Sequence, residues 1–233
     1  MTTHFRSDYA SEVEAIGLPE IAAPAKRGSV RPGFYRRTGK RVFDVLFVVL
    51  TAPFALTLVG FGAALAIFSG VRPFYTQKRL GKDGKVFHLL KIRSMFDDAE
   101  SLLGAHLAAD PAARKEWDDK QKLEHDPRIT RFGHVLRRTS LDEIPQLWNV
   151  LMGEMSIVGP RPIMLDQARL YPGREYYDLR PGITGPWQIS DRSRGSFCDR
   201  ADFDRGYFAS VSLATDLGIL WKTVGAVMRC TGR

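Results

Sequence analysis

From Val45 to Phe68 the chain carries no charged side chain. A run above about 18 apolar residues is long enough for a helix to cross a bilayer, so any fold must give this segment apolar surroundings. On length alone it is a single-pass anchor. Two features point to a different path. Pro53 lies in the run, where a proline removes a backbone hydrogen bond and bends a helix. Both flanks are also basic: Arg36, Arg37, Lys40 and Arg41 precede the run, and Arg72, Lys78, Arg79, Lys82 and Lys85 follow it. Positive charge marks the cytoplasmic side. Both ends therefore favour one face, and a kinked, re-entrant helix satisfies them, with Thr51 able to share the freed backbone group. Spanning and re-entrant paths both stay open on these residues. Asp44, the acid at the mouth of the helix, is expected to pair with Lys40 or Arg41 at the interface.

The rest of the chain is read around this segment. Residues 1–35 form a tail with little periodicity and one short helix near Ser11 to Ile16. Residues 36–72 hold the membrane helix, and 73–233 a separate soluble domain. Phe74–Gln77, the turn Gly81–Gly84 and Lys85–Arg93 read as a β-hairpin. Asp97 to Lys122 is an amphipathic helical region broken at Pro111, suited to a membrane surface or to packing on the core. Met164–Tyr171, Phe203–Phe208 and Leu213–Met228 read as helices, and residues 180–189 as a loop running into a short extended segment. The class is α+β: a re-entrant membrane helix carrying a small, mostly helical domain with a short hairpin and interfacial amphipathic helices.

Lys and Arg number 34 against 26 Asp and Glu, for a net charge of +8 and a pI near 9.7. Such a balance favours an anionic partner: nucleic acid, a membrane surface or a phosphorylated substrate. No nucleic-acid module or recognition helix is visible, and the charge-free run argues against that class. Cys198 and Cys230 have no metal-ligand spacing, and neither does His88.

The chemistry concentrates between Arg137 and Pro162. Asp142 and Glu143 are adjacent carboxylates, with Arg137 and Arg138 before them and Arg161 after. A carboxylate repels phosphate, so one that attacks phosphorus needs cations around it. Ser140 and Glu143 have capping-box spacing ahead of Ile144, Leu147, Val150 and Leu151. Pro145 suits a first helical position, so the helix starts either near Ser140 or nearer Ile144, with both acids in the preceding turn. Either start puts them at a helix N-terminus, which favours an incoming phosphate.

In order along the chain, Lys40-Arg41-x-x-Asp44, the proline within the apolar run, Lys91-x-Arg93-Ser94-Met95, Asp126-x-Arg128-Ile129-Thr130, Arg137 to Gln146, Gly159-Pro160-Arg161-Pro162 and Arg180-Pro181-Gly182-Ile183-Thr184-Gly185 resemble the bacterial sugar transferases, the monotopic phosphoglycosyl transferases. The segment Gly185 to Arg192 is similar to the branch that starts exopolysaccharide repeats with galactose or glucose phosphate. Members often carry Ser before the kinking proline, where this chain has Ala52. The resemblance implies transfer of a hexose-1-phosphate from a UDP-sugar to undecaprenyl phosphate, with release of UMP. It gives Asp142 the role of nucleophile, forming an aspartyl-phosphosugar. Glu143, with Asp142, would hold Mg²⁺. Arg137 and Arg161 would bind phosphate, with Arg128, Lys91 and Arg93 behind them. It also implies a site on the cytoplasmic face of the bacterial inner membrane, with the lipid bilayer as a partner, and allows a homodimer. The rival classes are a non-catalytic membrane scaffold and a basic nucleic-acid binder.

Overall fold

A computed structural model describes residues 33–190 and 196–228. The helix expected near Ser11 to Ile16 lies outside the described residues. A π-helical turn, Tyr35–Gly39, leads into α1, Lys40–Phe68, which runs on as helix through Pro53. Thr51 Oγ1 donates to the Phe47 carbonyl at 2.7 Å. Together these segments have a mean hydropathy of 2.3 over their most apolar window. Leu50, Phe54, Leu56, Phe61 and Phe68 are exposed on α1, while Val48, Ala55, Gly62 and Ala66 are buried. The buried positions are mostly small, which lets the helix lie close to the body of the protein. A Cβ at Gly62 would sit 2.5 Å from Ile92 Cδ1.

The hairpin forms as expected. β1, Phe74–Leu80, pairs antiparallel with β2, Val86–Ile92, in a register running from Phe74↔Ile92 to Leu80↔Val86. Its turn has Asp83 at φ 59 and Gly84 at φ 71, left-handed conformations that suit these residue types. The amphipathic region forms α2, Ala99–Ala109, and α3, Pro111–Lys120. Pro111 starts the second helix, and Asp110 caps it by accepting from the Ala112 and Ala113 N–H groups. Next come α4, Arg131–Arg138, a 3₁₀ turn at Leu141–Gln146, and α5, Leu147–Met152. The two short strands β3, Ser156–Val158, and β4, Gly182–Thr184, pair in parallel. They approach so closely that a Cβ at Gly182 would meet the Gly159 nitrogen at 2.1 Å. The chain closes with α6, Arg200–Ser210, and α7, Leu213–Met228.

One core cluster joins Val48 of α1 to Phe87, Leu89, Val150, Met155, Ile157, Val158, Tyr207 and Ile219. A second gathers Leu80, Ile163, Tyr171, Tyr176, Phe197 and Ala201. A third joins Ala66 and Val71 to Ile92 and Leu136. Both halves of α1 thus pack on the same body. The class, helices with small sheets and one long apolar helix, is as expected.

Three local expectations need correction. Met164–Tyr171 forms only a 3₁₀ turn at Asp166–Leu170, because Ile163 is held in an antiparallel bridge to Leu80 and Tyr171 is extended before Pro172. Ser140 makes no capping box: it sits at φ 57 with no side-chain cap, and its carbonyl accepts from the Glu143 N–H instead. Asp44 is fully buried rather than interfacial. It accepts from Ser156 Oγ and the Ile157 N–H at 3.0 Å each, with Lys40 Nζ at 3.9 Å. Its basic neighbour Arg41 instead donates to the carbonyls of Val150 and Leu151 at the end of α5.

Candidate active site

The site is assembled on the end of β2. Ser94 follows that strand, and its carbonyl accepts from the Thr130 N–H at 3.0 Å. Thr130 caps α4 through Gly133 N, and a Cβ at Gly133 would lie 2.0 Å from Ser94 O. The start of α4 is therefore pressed onto the strand end. At its other end, Arg137 Nε reaches back to Ser94 Oγ at 2.9 Å. The left-handed turn at Ser140 then redirects the chain, and Asp142 and Glu143 follow in the 3₁₀ turn before α5. The α-helix begins later than either start considered, at Leu147, and the 3₁₀ turn from Leu141 to Gln146 carries both acids. Asn149 on α5 fixes the opposite side: it accepts from the Leu90 N–H at 3.0 Å and donates to the His88 carbonyl at 2.8 Å.

Lys91 stands between the carboxylates, with Nζ 2.8 Å from Glu143 Oε1 and 3.8 Å from Asp142 Oδ2. Arg161 Nη2 lies 3.8 Å from the same Glu143 oxygen. Burial would push the Glu143 carboxyl up, but Lys91 and Arg161 outweigh it and hold the group at about 2. Asp142 goes the other way. Burial raises it above the ordinary carboxylate range, assisted by the Glu143 charge and only partly offset by Lys91, Arg137 and Arg161. Two adjacent acids are thus driven apart in character, which is how paired catalytic carboxylates acquire different roles.

Asp142 is 5% exposed, yet it belongs to none of the apolar core clusters. Among the described residues none hydrogen-bonds to its carboxylate, and neither oxygen is sealed from solvent. Lys91 meets it as an ion pair at 3.8 Å, which leaves its lone pairs free of hydrogen bonds, as suits a nucleophile.

The structure brings Asp142, Glu143, Lys91, Arg137 and Arg161 together. Arg128 is engaged elsewhere, with Nε and Nη2 on the two Asp126 oxygens at 2.8 and 2.6 Å and its guanidinium 5.1 Å from the Trp117 ring. Arg93 pairs with Asp97 and lies 5.3 Å from the Tyr75 ring. Sequence reasoning passed over Asn149, whose signal is a polar residue on the otherwise apolar face of a short helix.

A family model for bacterial sugar transferases matches residues 35–230. The chain belongs to the bacterial sugar transferase family. Among similar proteins, the UDP-galactose-lipid carrier transferase of Erwinia amylovora is 45% identical over 199 residues, 83% of this chain and 41% of that protein. The exopolysaccharide production protein ExoY of Sinorhizobium fredii is 42% identical over 216 residues, 90% of this chain and 93% of that protein. The undecaprenyl-phosphate galactose phosphotransferase of Salmonella typhimurium is 41% identical over 195 residues, 83% and 41% of the two chains. This sugar transferase therefore spans about two fifths of the Erwinia and Salmonella relatives and nearly all of the rhizobial one.

As for a metal, no group of three or more His, Cys, Asp or Glu gathers among the described residues. Lys91 and Arg161 both lie on the Oε1 side of the Glu143 carboxylate.

Proposed function

We propose that this chain transfers a hexose-1-phosphate from a UDP-sugar to undecaprenyl phosphate, releasing UMP and starting exopolysaccharide synthesis. The observation that carries the reading is the unengaged Asp142 carboxylate set among Lys91, Arg137 and Arg161, beside a Glu143 held firmly ionised. Similarity to the galactose phosphotransferase and the lipid carrier transferase supports the substrates.

An Asp142 oxygen attacks the β-phosphorus of the donor. The bond from that phosphorus to the bridging oxygen breaks, and UMP leaves with the electron pair. The sugar phosphate is then an acyl phosphate on Asp142. An oxygen of the lipid phosphate attacks the same phosphorus, and the Asp142 carboxylate departs unchanged. Lys91 and Arg161 fix Glu143, and Arg137 and Arg161 neutralise phosphate oxygens as charge shifts during transfer. Glu143, with Asp142 beside it, would hold a Mg²⁺ ion, which when bound would supply further positive charge to the donor's diphosphate.

The same reading makes the chain monotopic on the cytoplasmic face of the inner membrane. Supporting it, α1 rests on the same body at Val48 and again at Gly62 and Ala66. The exposed apolar face of α7, including Trp221 at 80% exposure, suits the interface. Single cysteines at positions 10 and 82 should label from the same side; labelling from opposite sides would rule out the re-entrant path.

The activity is tested by UMP release from a panel of UDP-sugars, with and without undecaprenyl phosphate. Release from at least one donor, lost in Asp142→Asn, is expected. No release from any donor would favour the scaffold reading.

A further inference from the structure

The acid pair and α5 form one continuous arm. The Glu143 N–H donates to the Ser140 carbonyl at 3.2 Å and the Leu147 N–H to the Ile144 carbonyl, so the 3₁₀ turn runs into α5 with no loose residue between them. Leu147–Met152 is only six residues long. A helix that short is not stable by itself, and its last carbonyls need partners from outside it. Two arginines from distant segments provide them. Arg41, in the first turn of α1, donates through Nη1 to the Val150 carbonyl and through Nη2 to the Leu151 carbonyl at 2.7 Å. Arg180 Nε donates to the Gly153 carbonyl at 2.9 Å. Gly153, at φ 83, ends the helix, and a Cβ there would sit 3.6 Å from Arg41 Nη2. The Arg41 guanidinium therefore lies against the helix end, where the dipole favours positive charge.

The same arm lies along α1. Leu141 packs on the cluster of Ala66 and Ile92, and Leu147 and Leu151 on the cluster of Val48. Apolar contacts of this kind are non-directional and do not fix the arm's position along the helix. A guanidinium fork on two successive carbonyls is directional and does. Asn149 ties the middle of the arm to the His88 and Leu90 backbone, next to Lys91. Held at Asn149 and at its far end, the arm presents its acids to Lys91 in one place. The margin there is small. Lys91 Nζ is 2.8 Å from Glu143 and 3.8 Å from Asp142, so a shift of about 1 Å would let it hydrogen-bond Asp142 instead.

We propose that Arg41 is a positioning residue: by holding the end of α5, it makes the placement of Asp142 depend on where α1 is seated. This rests on the proposed transfer reaction and deepens it. The neighbouring Lys40 turns to Asp216 on α7 at 2.8 Å. The first turn of α1 thus has one contact that docks the helix and another that reaches toward the site.

The test uses the full chain in lipid nanodiscs, with Arg41→Gln, Arg41→Lys and a control, Tyr35→Phe. The control removes the Tyr35 hydrogen bond to Asp216 at the base of α1 and leaves α5 untouched. UMP release from a UDP-sugar gives kcat and KM. Hydrogen exchange is read over residues 141–147 and 150–155, below each variant's melting transition. Arg41→Gln should lower kcat about ten- to a hundredfold, the cost of misplacing a reacting group by about 1 Å, with KM for the donor unchanged. It should also speed exchange over 141–147 as well as at the helix end. Arg41→Lys keeps the charge without the fork and should lie between. Tyr35→Phe should keep the wild-type kcat and the wild-type exchange over 141–147. A wild-type kcat in Arg41→Gln overturns the proposal. So does faster exchange confined to 150–155, which makes Arg41 a local cap. An equal fall of kcat in Tyr35→Phe overturns it too, because the effect is then one of general stability. If Arg41→Gln does not fold, Arg41→Lys decides by the same readings. If wild type releases no UMP from any donor, the transfer reaction fails, while exchange over 141–147 still decides whether Arg41 holds the turn.

Discussion

Lys91 is where the site's asymmetry originates. Its Nζ lies 2.8 Å from Glu143 but 3.8 Å from Asp142, so one acid is hydrogen-bonded as an anion and its neighbour is left with its desolvation only partly offset. The signs can be followed through pH. Glu143 is depressed to about 2, so its contribution to stability is present above its unfolded value and is lost only as pH falls through about 2. Asp142 is raised, so its effect on stability is most favourable below its unfolded value and is lost as pH rises through the folded one. At neutral pH the ionised Asp142 therefore costs stability. Asp142→Asn should abolish the covalent intermediate and UMP release while leaving the melting temperature equal or higher; a clear drop in melting temperature would mean that the carboxylate is structural. For wild type, the acid limb of UMP release should lie above the ordinary aspartate value, measured as a pH–rate profile in the absence of lipid acceptor. Lys91→Gln should raise Glu143 toward its ordinary value and shift the Mg²⁺ dependence of UMP release to higher concentration. A Mg²⁺ titration identical to wild type would remove Lys91 from that role.

At the scale of elements, the site depends on two clips that hold short pieces of structure onto β2. Gly133 lets α4 rest on Ser94 O, and Asn149 ties α5 to the backbone of His88 and Leu90. Asn149→Ala would leave a buried N–H and a buried carbonyl unpaired, at a cost of about 1–3 kcal/mol for each group. Because Lys91 follows directly on Leu90, UMP release should fall together with stability, which thermal melting and the release assay would show in parallel. A stability loss with full specific activity would separate the clip from the site. These clips mark the limit of what the sequence discloses. The hairpin was legible from alternation and its Gly-rich turn, and Asp142, Glu143, Lys91, Arg137 and Arg161 were legible as acids and bases in one pattern. The left-handed Ser140 was not, because Ser-x-x-Glu spacing fits a cap equally well until the chain direction is known. Arg128 and Arg93 stand in the same motifs as the site residues, but their carboxylate partners, Asp126 and Asp97, are local choices that spacing alone does not rank.

For the molecule as a whole, the question is how the long apolar helix α1 is held in fixed relation to the body that carries Asp142. The answer lies at the base of α1. Asp216 of α7 is fully buried and accepts from the Tyr35 hydroxyl at 2.6 Å, Lys40 Nζ at 2.8 Å and the Tyr207 hydroxyl at 2.6 Å. Tyr207 also donates to the Val158 carbonyl at 3.2 Å, and Asp44 is bonded to Ser156 and Ile157 on the same strand. The entrance of the membrane helix, β3, α6 and α7 are thus joined through two buried acids. A flexible tether would let α1 and the catalytic body move independently; this polar clasp does not. Removing one partner of a buried pair leaves the other charge uncompensated, at about 3–5 kcal/mol. Asp216→Ala should therefore lower the melting temperature, because Lys40 keeps only the more distant Asp44, at 3.9 Å, and the Tyr35 and Tyr207 hydroxyls lose their acceptor. Lys40→Met combined with Asp216→Leu removes that pair but leaves Asp44 without its lysine, so it should recover only part of the loss in nanodiscs. If the double variant melts no higher than Asp216→Ala alone, the clasp is not an ion pair in energetic terms, and the position of α1 must be set by the apolar contacts at Val48, Gly62 and Ala66 instead.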